Sequence, residues 1–447
     1  MIARTIPHPG SGFASGLAAT TALDRLTTVT LWLLAALYPL HSSAIGVNLS
    51  VGDGIVGAVL VGLAFRFATD EVVFPRYGLH TLAVFSTIVV SVGLNSLVPR
   101  VYYSVSDAVI ETVKFVAVAA WMVVIFRMLV RDFARRYLQF AIVSVVVAVG
   151  WSVWTVYDNL VVGVQRPSGP FENPNIYANY LVFNAFLALG ANALLEETGT
   201  RSLMPWLRRY RLLMLSGVSA VLVLGLLSTG SRGGLLAFAA GNVAAVRCWI
   251  PKRLTPKAGI AAVLGALVCA AAVYWFLQNH PYILTRMART GAQDHNVTDR
   301  LDLWGAARDA FYQQPLFGIG YGQFPHYADY SHGLEPKVSH QTYLSAAAEL
   351  GVLGVAACAW LVGAILKDSW LLGFARGGRV SAALFGFMVA VCMQATLANV
   401  DQFRTVWIAF GMIAALGVSL AHPGGSRSAV SPVSFFAHSR LRQRAHS

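Results

Sequence analysis

Apolar runs of 17 or more residues recur along this chain and leave it little choice of architecture. A helix needs roughly 20 such residues to cross the hydrocarbon of a bilayer, so the runs specify an all-α polytopic membrane protein. Composition agrees: 12% of the 447 residues are charged, where a soluble domain carries about a quarter. Mean hydropathy is +0.61. Twelve spans are expected, near 24–40, 50–68, 79–98, 108–130, 137–157, 176–195, 211–228, 233–249, 258–277, 340–366, 380–399 and 405–421. The polar, Gly/Ser-rich first 23 residues and the second apolar run close behind the first indicate a retained span, not a cleaved signal peptide.

Orientation follows from the basic residues of the short loops. With both termini inside, the inner segments include "FRMLVRDFARR", "RSLMPWLRRYR" and "VRCWIPKRLTPK", and they collect most of the Lys and Arg but a minority of the acids. The net charge of +13 is therefore mostly topology and membrane-surface contact, and no nucleic-acid partner is expected. Cys248, Cys269, Cys358 and Cys392 lie in or at the ends of apolar runs, as small core residues, and suggest neither disulfides nor zinc. The expected layout is an inner tail 1–23, spans one to nine over 24–277, a large outer loop 278–339, spans ten to twelve over 340–421 and an inner tail 422–447.

The outer segments hold the unusual polar residues: "DNLVVGVQRPSGPFENPN" (158–175), the turn "STGSRGG", the long loop, and "DQFRT" (401–405). In the loop, "TDRLDLWGAARDAFYQQ" reads as an amphipathic helix capped by Thr298 or Asp299, with Leu301, Trp304, Arg308 and Phe311 at helical spacing. Pro315 ends it, and Gly318, Gly320 and Gly322 suit a turn. This Gly-x-Gly-x-Gly is no dinucleotide fingerprint, because no βαβ unit surrounds it.

Three arginines stand out. Arg232 sits alone in "LVLGLLSTGSRGGLLAFAAGN" (222–242), where the next helix begins, and no acid lies within twenty residues of it in sequence. Backbone N–H groups at a helix start plus a guanidinium suit an anion, phosphate above all. Arg300 opens the loop helix similarly, though Asp299 and Asp302 offer it local partners, and Arg166 has Glu172 nearby. Snorkelling to lipid headgroups is the alternative for each. In "VSHQTYLSAAAELGVLG", Ser339 would cap the tenth span and place His340 in its first turn, where the helix end disfavours the imidazolium. A neutral imidazole can take a proton from an attacking hydroxyl; the alternative is an interfacial histidine bonded to headgroups.

Glu349, nine residues on, would point away from His340 into the membrane and find a structural partner on another helix. Asp107, Glu111 and Lys114 share a helix face as an ion-pair cluster, with Asp53 a similar case. Asp401 and Arg404 are near enough to satisfy one another. No metal-binding or nucleotide-binding pattern appears in the outer segments, so no cofactor is expected and the substrate should arrive with its own leaving group.

Four segments, "GPFENPNIYANYL" (169–181), "STGSRGGLLAF" (228–238), "DRLDLWGAARDAFYQQPLFGIGYGQF" (299–324) and "SHQTYLSAAAELGVLG" (339–354), occur in the order seen in the O-antigen ligase superfamily, and the whole chain resembles it. The superfamily includes ligases, some O-antigen polymerases and protein O-oligosaccharyltransferases. The resemblance implies a GT-C-like membrane glycosyltransferase of the bacterial inner membrane, with both termini cytoplasmic and its site facing the periplasm. Its donor would be an undecaprenyl-diphosphate-linked glycan and its acceptor a hydroxyl of lipid A–core in lipopolysaccharide biosynthesis, with inversion and without metal. By the same resemblance Arg166, Arg232 and Arg300 would hold the diphosphate and His340 would act as base or acceptor-orienting group. The family often has Asn after this histidine, where this chain has Gln341.

The short basic segment after span twelve disfavours the protein-glycosylating branch. A repeat polymerase remains the alternative within the class. A secondary transporter is the alternative from another class; its usual long inner loop between two six-helix halves is not seen, since the longest loop follows span nine. Membrane lipids are the other expected partners, and the chain is expected to be a monomer or weak oligomer.

Overall fold

The computed structural model describes residues 11–42, 49–67, 75–197, 205–249, 256–288, 295–375 and 378–421. The tail 422–447, the first ten residues and parts of several inner connections lie outside the described residues. Along the chain come α1 (Ser11–Leu37), α2 (Val51–Phe67), α3 (Gly78–Ser96), α4 (Val105–Leu129), α5 (Phe133–Tyr157) and α6 (Pro174–Glu197). Next are α7 (Pro205–Ser228), α8 (Arg232–Ala244), α9 (Val246–Trp249), α10 (Pro256–Asn279) and α11 (Pro281–Ala288). The last are α12 (His295–Gln313), α13 (Phe324–His332), α14 (Thr342–Trp370), α15 (Arg379–Ala395) and α16 (Arg404–Ala421). The sole sheet among the described residues is a two-residue pairing of His41–Ser42 with Leu49–Ser50.

A helix overlaps each of the twelve expected spans. Six of the described helical segments, containing α3, α4, α5, α6, α14 and α16, are long and apolar enough to cross a membrane. α8 has 13 residues, which at 1.5 Å per residue reach about 20 Å, short of a bilayer's hydrocarbon. α6 and α16 are enclosed by other helices, whereas α3 turns most of its surface outward. Close approach inside the bundle depends on missing side chains. A Cβ on Gly241 of α8 would lie 2.6 Å from the carbonyl oxygen of Gly386 in α15, so these two backbones touch only because both residues are glycine.

α14 is interrupted. Gly351 has φ 64° and ψ −165°, far from helical values. The extended segment after α12 fills the break: Ile319 N–H donates to the Ala348 carbonyl at 2.9 Å, Gly320 N–H to Glu349 at 3.2 Å, and Val352 N–H to the Pro315 carbonyl at 2.8 Å. Ser91 of α3 donates to the Glu349 carbonyl at 2.8 Å. Gly318, with φ 68°, faces the same junction, and a Cβ there would sit 2.2 Å from the Glu349 carbonyl carbon. The segment after α12 is thereby fastened into α14 by backbone bonds.

The loop helix differs from the sequence expectation. α12 starts at His295, before Thr298 and Asp299, so neither caps it and Arg300 lies in its second turn. Its buried stripe is Leu303, Ala306, Ala307 and Ala310, while Leu301 is exposed. Small alanines beside Leu303 let α12 settle closely on the bundle, while Trp304 and Phe311 are half-buried at its edge.

Candidate functional site

Five segments of the chain converge on one cavity of about 280 Å³. Arg166 and Glu172 come from the connection between α5 and α6, and Gly230 to Gly233 from the turn into α8. Asp299 and Arg300 come from α12, Lys337 and His340 from the approach to α14, and Gln394 to Ala398 from the end of α15. All four residues singled out in the sequence, Arg166, Arg232, Arg300 and His340, therefore line the same space. Four cations face two carboxylates there, so the cavity favours an anion.

The turn "STGSRGG" is built to hold Arg232 at the first position of α8. Ser231 is the N-cap, its hydroxyl accepting the Gly234 N–H at 3.2 Å and donating to Asn175 Oδ1 at 2.9 Å. Arg166 Nε donates to the Thr229 carbonyl at 3.4 Å, which docks the first outer connection onto this turn. In "ENPN", Asn173 Oδ1 accepts the Asn175 N–H at 2.8 Å, and Pro174 occupies the first helical position of α6, which lacks nothing by having no N–H. A buried amide chain continues beneath: Gln394 donates to the Asn175 carbonyl at 3.1 Å, Asn179 donates to Gln394 at 2.8 Å, and Thr405 donates to Asn179. This network ties α6, α8, α15 and α16 together under the cavity.

His340 differs from expectation in its backbone and not in its charge state. α14 begins at Thr342 with Gln341 as N-cap, so Ser339 does not cap the helix and His340 is not in its first turn. Instead His340 has φ 55°, and among the described residues it alone has positive φ without being glycine. Such a conformation costs about 1–3 kcal/mol and persists only where neighbours impose it. They do so here. Trp304 Nε1 donates to the Ser339 carbonyl at 3.0 Å, the Ser339 and Ser345 hydroxyls meet at 2.7 Å, and Thr342 Oγ1 donates to the Ala398 carbonyl at 2.8 Å. The imidazole is held below its ordinary pKa by burial first, then by the charges of Arg300 and Lys337. A neutral imidazole results, from burial and guanidinium charge, with no helix end involved.

A second cavity of about 450 Å³ is also lined by His340 and shares Glu172, Asn173, Asn175 and Ala398 with the first. Its carboxyl groups are held differently from what sequence proximity suggested. Arg404 pairs with Asp53, donating from Nε at 2.8 Å, and not with Asp401. Asp401 accepts from the Tyr321 hydroxyl at 3.3 Å, and burial pushes its carboxyl above the usual carboxylate range. Glu111 and Lys114 pair at 2.7 Å as expected, but Asp107 is taken by His326 at 2.8 Å. Glu349 has its structural partner on another helix, as expected. It lines this shared cavity, and its partner is the backbone N–H of Phe324 at 3.1 Å, at the start of α13. Lys337, the Asn175–Gln394 framework and Asn399 were not singled out in the sequence; for Lys337 the available signal was its place three residues before His340.

Residues 217–359 match the family described as O-antigen ligase. The match supports the O-antigen ligase superfamily, whose members are membrane glycosyltransferase-like ligases and polymerases. It spans Arg232, Arg300 and His340 and stops short of Arg166. Comparison with curated proteins finds no match.

Proposed function

We propose that this chain is an O-antigen ligase of the bacterial inner membrane. It transfers a glycan from undecaprenyl diphosphate to a hydroxyl of lipid A–core at the periplasmic face. One observation carries the reading: three arginines from separate outer segments and a strained, neutral histidine line a single cationic cavity.

The chemistry follows from that arrangement. Arg166, Arg232 and Arg300 hold the donor diphosphate, and the N-terminus of α8 adds its dipole. His340 accepts the proton of the acceptor hydroxyl as that oxygen bonds to the donor's anomeric carbon. The bond from that carbon to the diphosphate breaks, and its electron pair leaves with the diphosphate. Attack from the face opposite the leaving group inverts the anomeric centre. The guanidinium groups are already in place to meet the negative charge that grows on the leaving group, so no reorganisation is needed at that moment.

The purified protein, given a polyprenyl-diphosphate glycan, tests this directly. Lipid A–core, a second lipid-linked glycan and a pilin-like protein are offered as acceptors side by side. The expected product is glycosylated lipid A–core, with polyprenyl diphosphate released. Transfer to a second lipid-linked glycan alone would make the protein a polymerase, and absence of any transfer would sink the reading. Activity should also survive EDTA, since arginines supply the charge; loss on chelation with recovery on adding a divalent ion would refute that part.

A further inference from the structure

The second cavity has its own chemistry. Five carboxyl groups, from Asp53, Glu111, Glu172, Glu349 and Asp401, face two cations, Lys114 and Arg404. Those two cations already bind carboxylates, Lys114 that of Glu111 and Arg404 that of Asp53. One wall is aromatic, where the Tyr180 ring lies 5.4 Å from Tyr38 and 5.3 Å from Phe171. Two polar atoms on lining residues have no hydrogen-bond partner. One is the hydroxyl of Tyr180, a residue with 0% exposure, and the other is Oδ1 of Asn399, whose amide nitrogen donates to Ser345 at 2.8 Å. Buried polar atoms are nearly always paired, so two orphans on lining residues leave hydrogen-bonding capacity beside the cavity that a small side-chain shift would open to a guest.

We propose that this cavity seats the acceptor sugar and selects a ring that bears hydroxyl groups and no anionic substituent. The inference rests on the reading of the first cavity as the seat of the donor diphosphate. Hydroxyls of such a ring answer the carboxyl groups, the Asn399 oxygen and the Tyr180 hydroxyl, while its C–H face lies on the aromatic wall. A phosphate or carboxylate on the ring meets ionised carboxylates, or protonated ones that bring no positive charge, and gains nothing here that water does not give it. The cationic cavity next door would draw the same anion. His340 borders both spaces, so a hydroxyl presented from the second cavity reaches the base beside the donor. Charge thus sorts the two substrates to two cavities that share one histidine, and Asn399 is a specificity-determining residue of the acceptor side.

Competition kinetics on the purified protein test this with two alkyl hexosides, one neutral and one identical but for a 6-phosphate. The acceptor is whichever one the transfer experiment above identifies. The neutral hexoside should compete with the acceptor, at a concentration at least about tenfold below that at which the phosphorylated one does so. The phosphorylated one should compete with the donor instead. Asn399→Ala should raise the KM for acceptor about three- to tenfold and leave the KM for donor unchanged. Glu111→Gln, which keeps an oxygen for Gln402, should narrow the discrimination between the two hexosides. Equal competition with the acceptor by both hexosides, no competition by the neutral one, or an unaltered acceptor KM in Asn399→Ala overturns the assignment. Those outcomes leave donor cleavage intact. Failure of the transferase reading is separate, because it abolishes donor cleavage with every acceptor.

Discussion

The two cavities that border His340 are built from different parts of the chain. The cations of the first come from three connections and the loop helix α12, all outside the long apolar spans. Most carboxyl groups of the second sit on helices of the bundle: Asp53 on α2, Glu111 on α4 and Glu349 on α14. Loops can place a guanidinium over a leaving group without burying it in the bundle, whereas a carboxylate on a span needs a fixed partner. Asp53 and Glu111 have such partners in Arg404 and Lys114. Under the reading proposed above, the loop-built side carries the charge chemistry and the bundle-built side shapes the acceptor's seat.

Substitutions can break that division, beginning with the largest effect. Arg232→Ala and His340→Ala should each lower transfer by a factor of about 10² or more, with the protein still inserted and folded. Normal product from either variant would remove that residue from the site. Asp401→Asn should leave the KM for donor unchanged; a rise in it would mean that both cavities serve one substrate. Next in size is Gly318→Ala, which forces an alanine to φ 68° and drives its Cβ onto the Glu349 backbone. A loss of about 2–4 kcal/mol is expected, read as a lower Tm in detergent. Gly305→Ala, with nothing within 4 Å, should leave Tm unchanged or raise it. Equal melting of the two variants would show that the junction between loop and α14 is not under constraint.

The smallest effect is on pH. His340 has its pKa depressed in the folded protein, so the imidazole is the free base at neutral pH and is lost as base only on acidification. The acid limb of kcat/KM should then lie below 6.5, the ordinary value for histidine. Lys337→Met removes one of the charges that hold it down and should move the limb toward higher pH. A limb that stays in place would assign it to another group.

How much of this was legible in the sequence depended on distance along the chain. Arg232 was visible because it stands alone between two apolar runs, and His340 because of the motif around it. The partnership of Arg404 with Asp53 joins positions 351 residues apart, and that of Gln402 with Glu111 joins positions 291 apart, so neighbouring Asp401 and Arg404 were paired by proximity. Helical counting from His340 does not apply to Glu349, because His340 lies outside α14, which starts at Thr342. Which face of α12 packs on the bundle was not legible for another reason. A large apolar residue next to a bilayer need not be buried in protein, and the alanines that make the close contact carry a weaker hydropathy signal.

The interruption of α14 also bears on how the chain is made. Ala348 offers its carbonyl to Ile319, and Glu349 offers its own to Gly320 and to Ser91, so the carbonyls at the break are satisfied from outside α14, as a water-free bilayer requires. Synthesis runs from the amino terminus, so the docking segment is delivered before the helix it completes. It must wait until α14 follows. Handing α14 to the lipid as a finished rod is therefore disfavoured, and its release from the insertion machinery should be coupled to capture by a segment made before it.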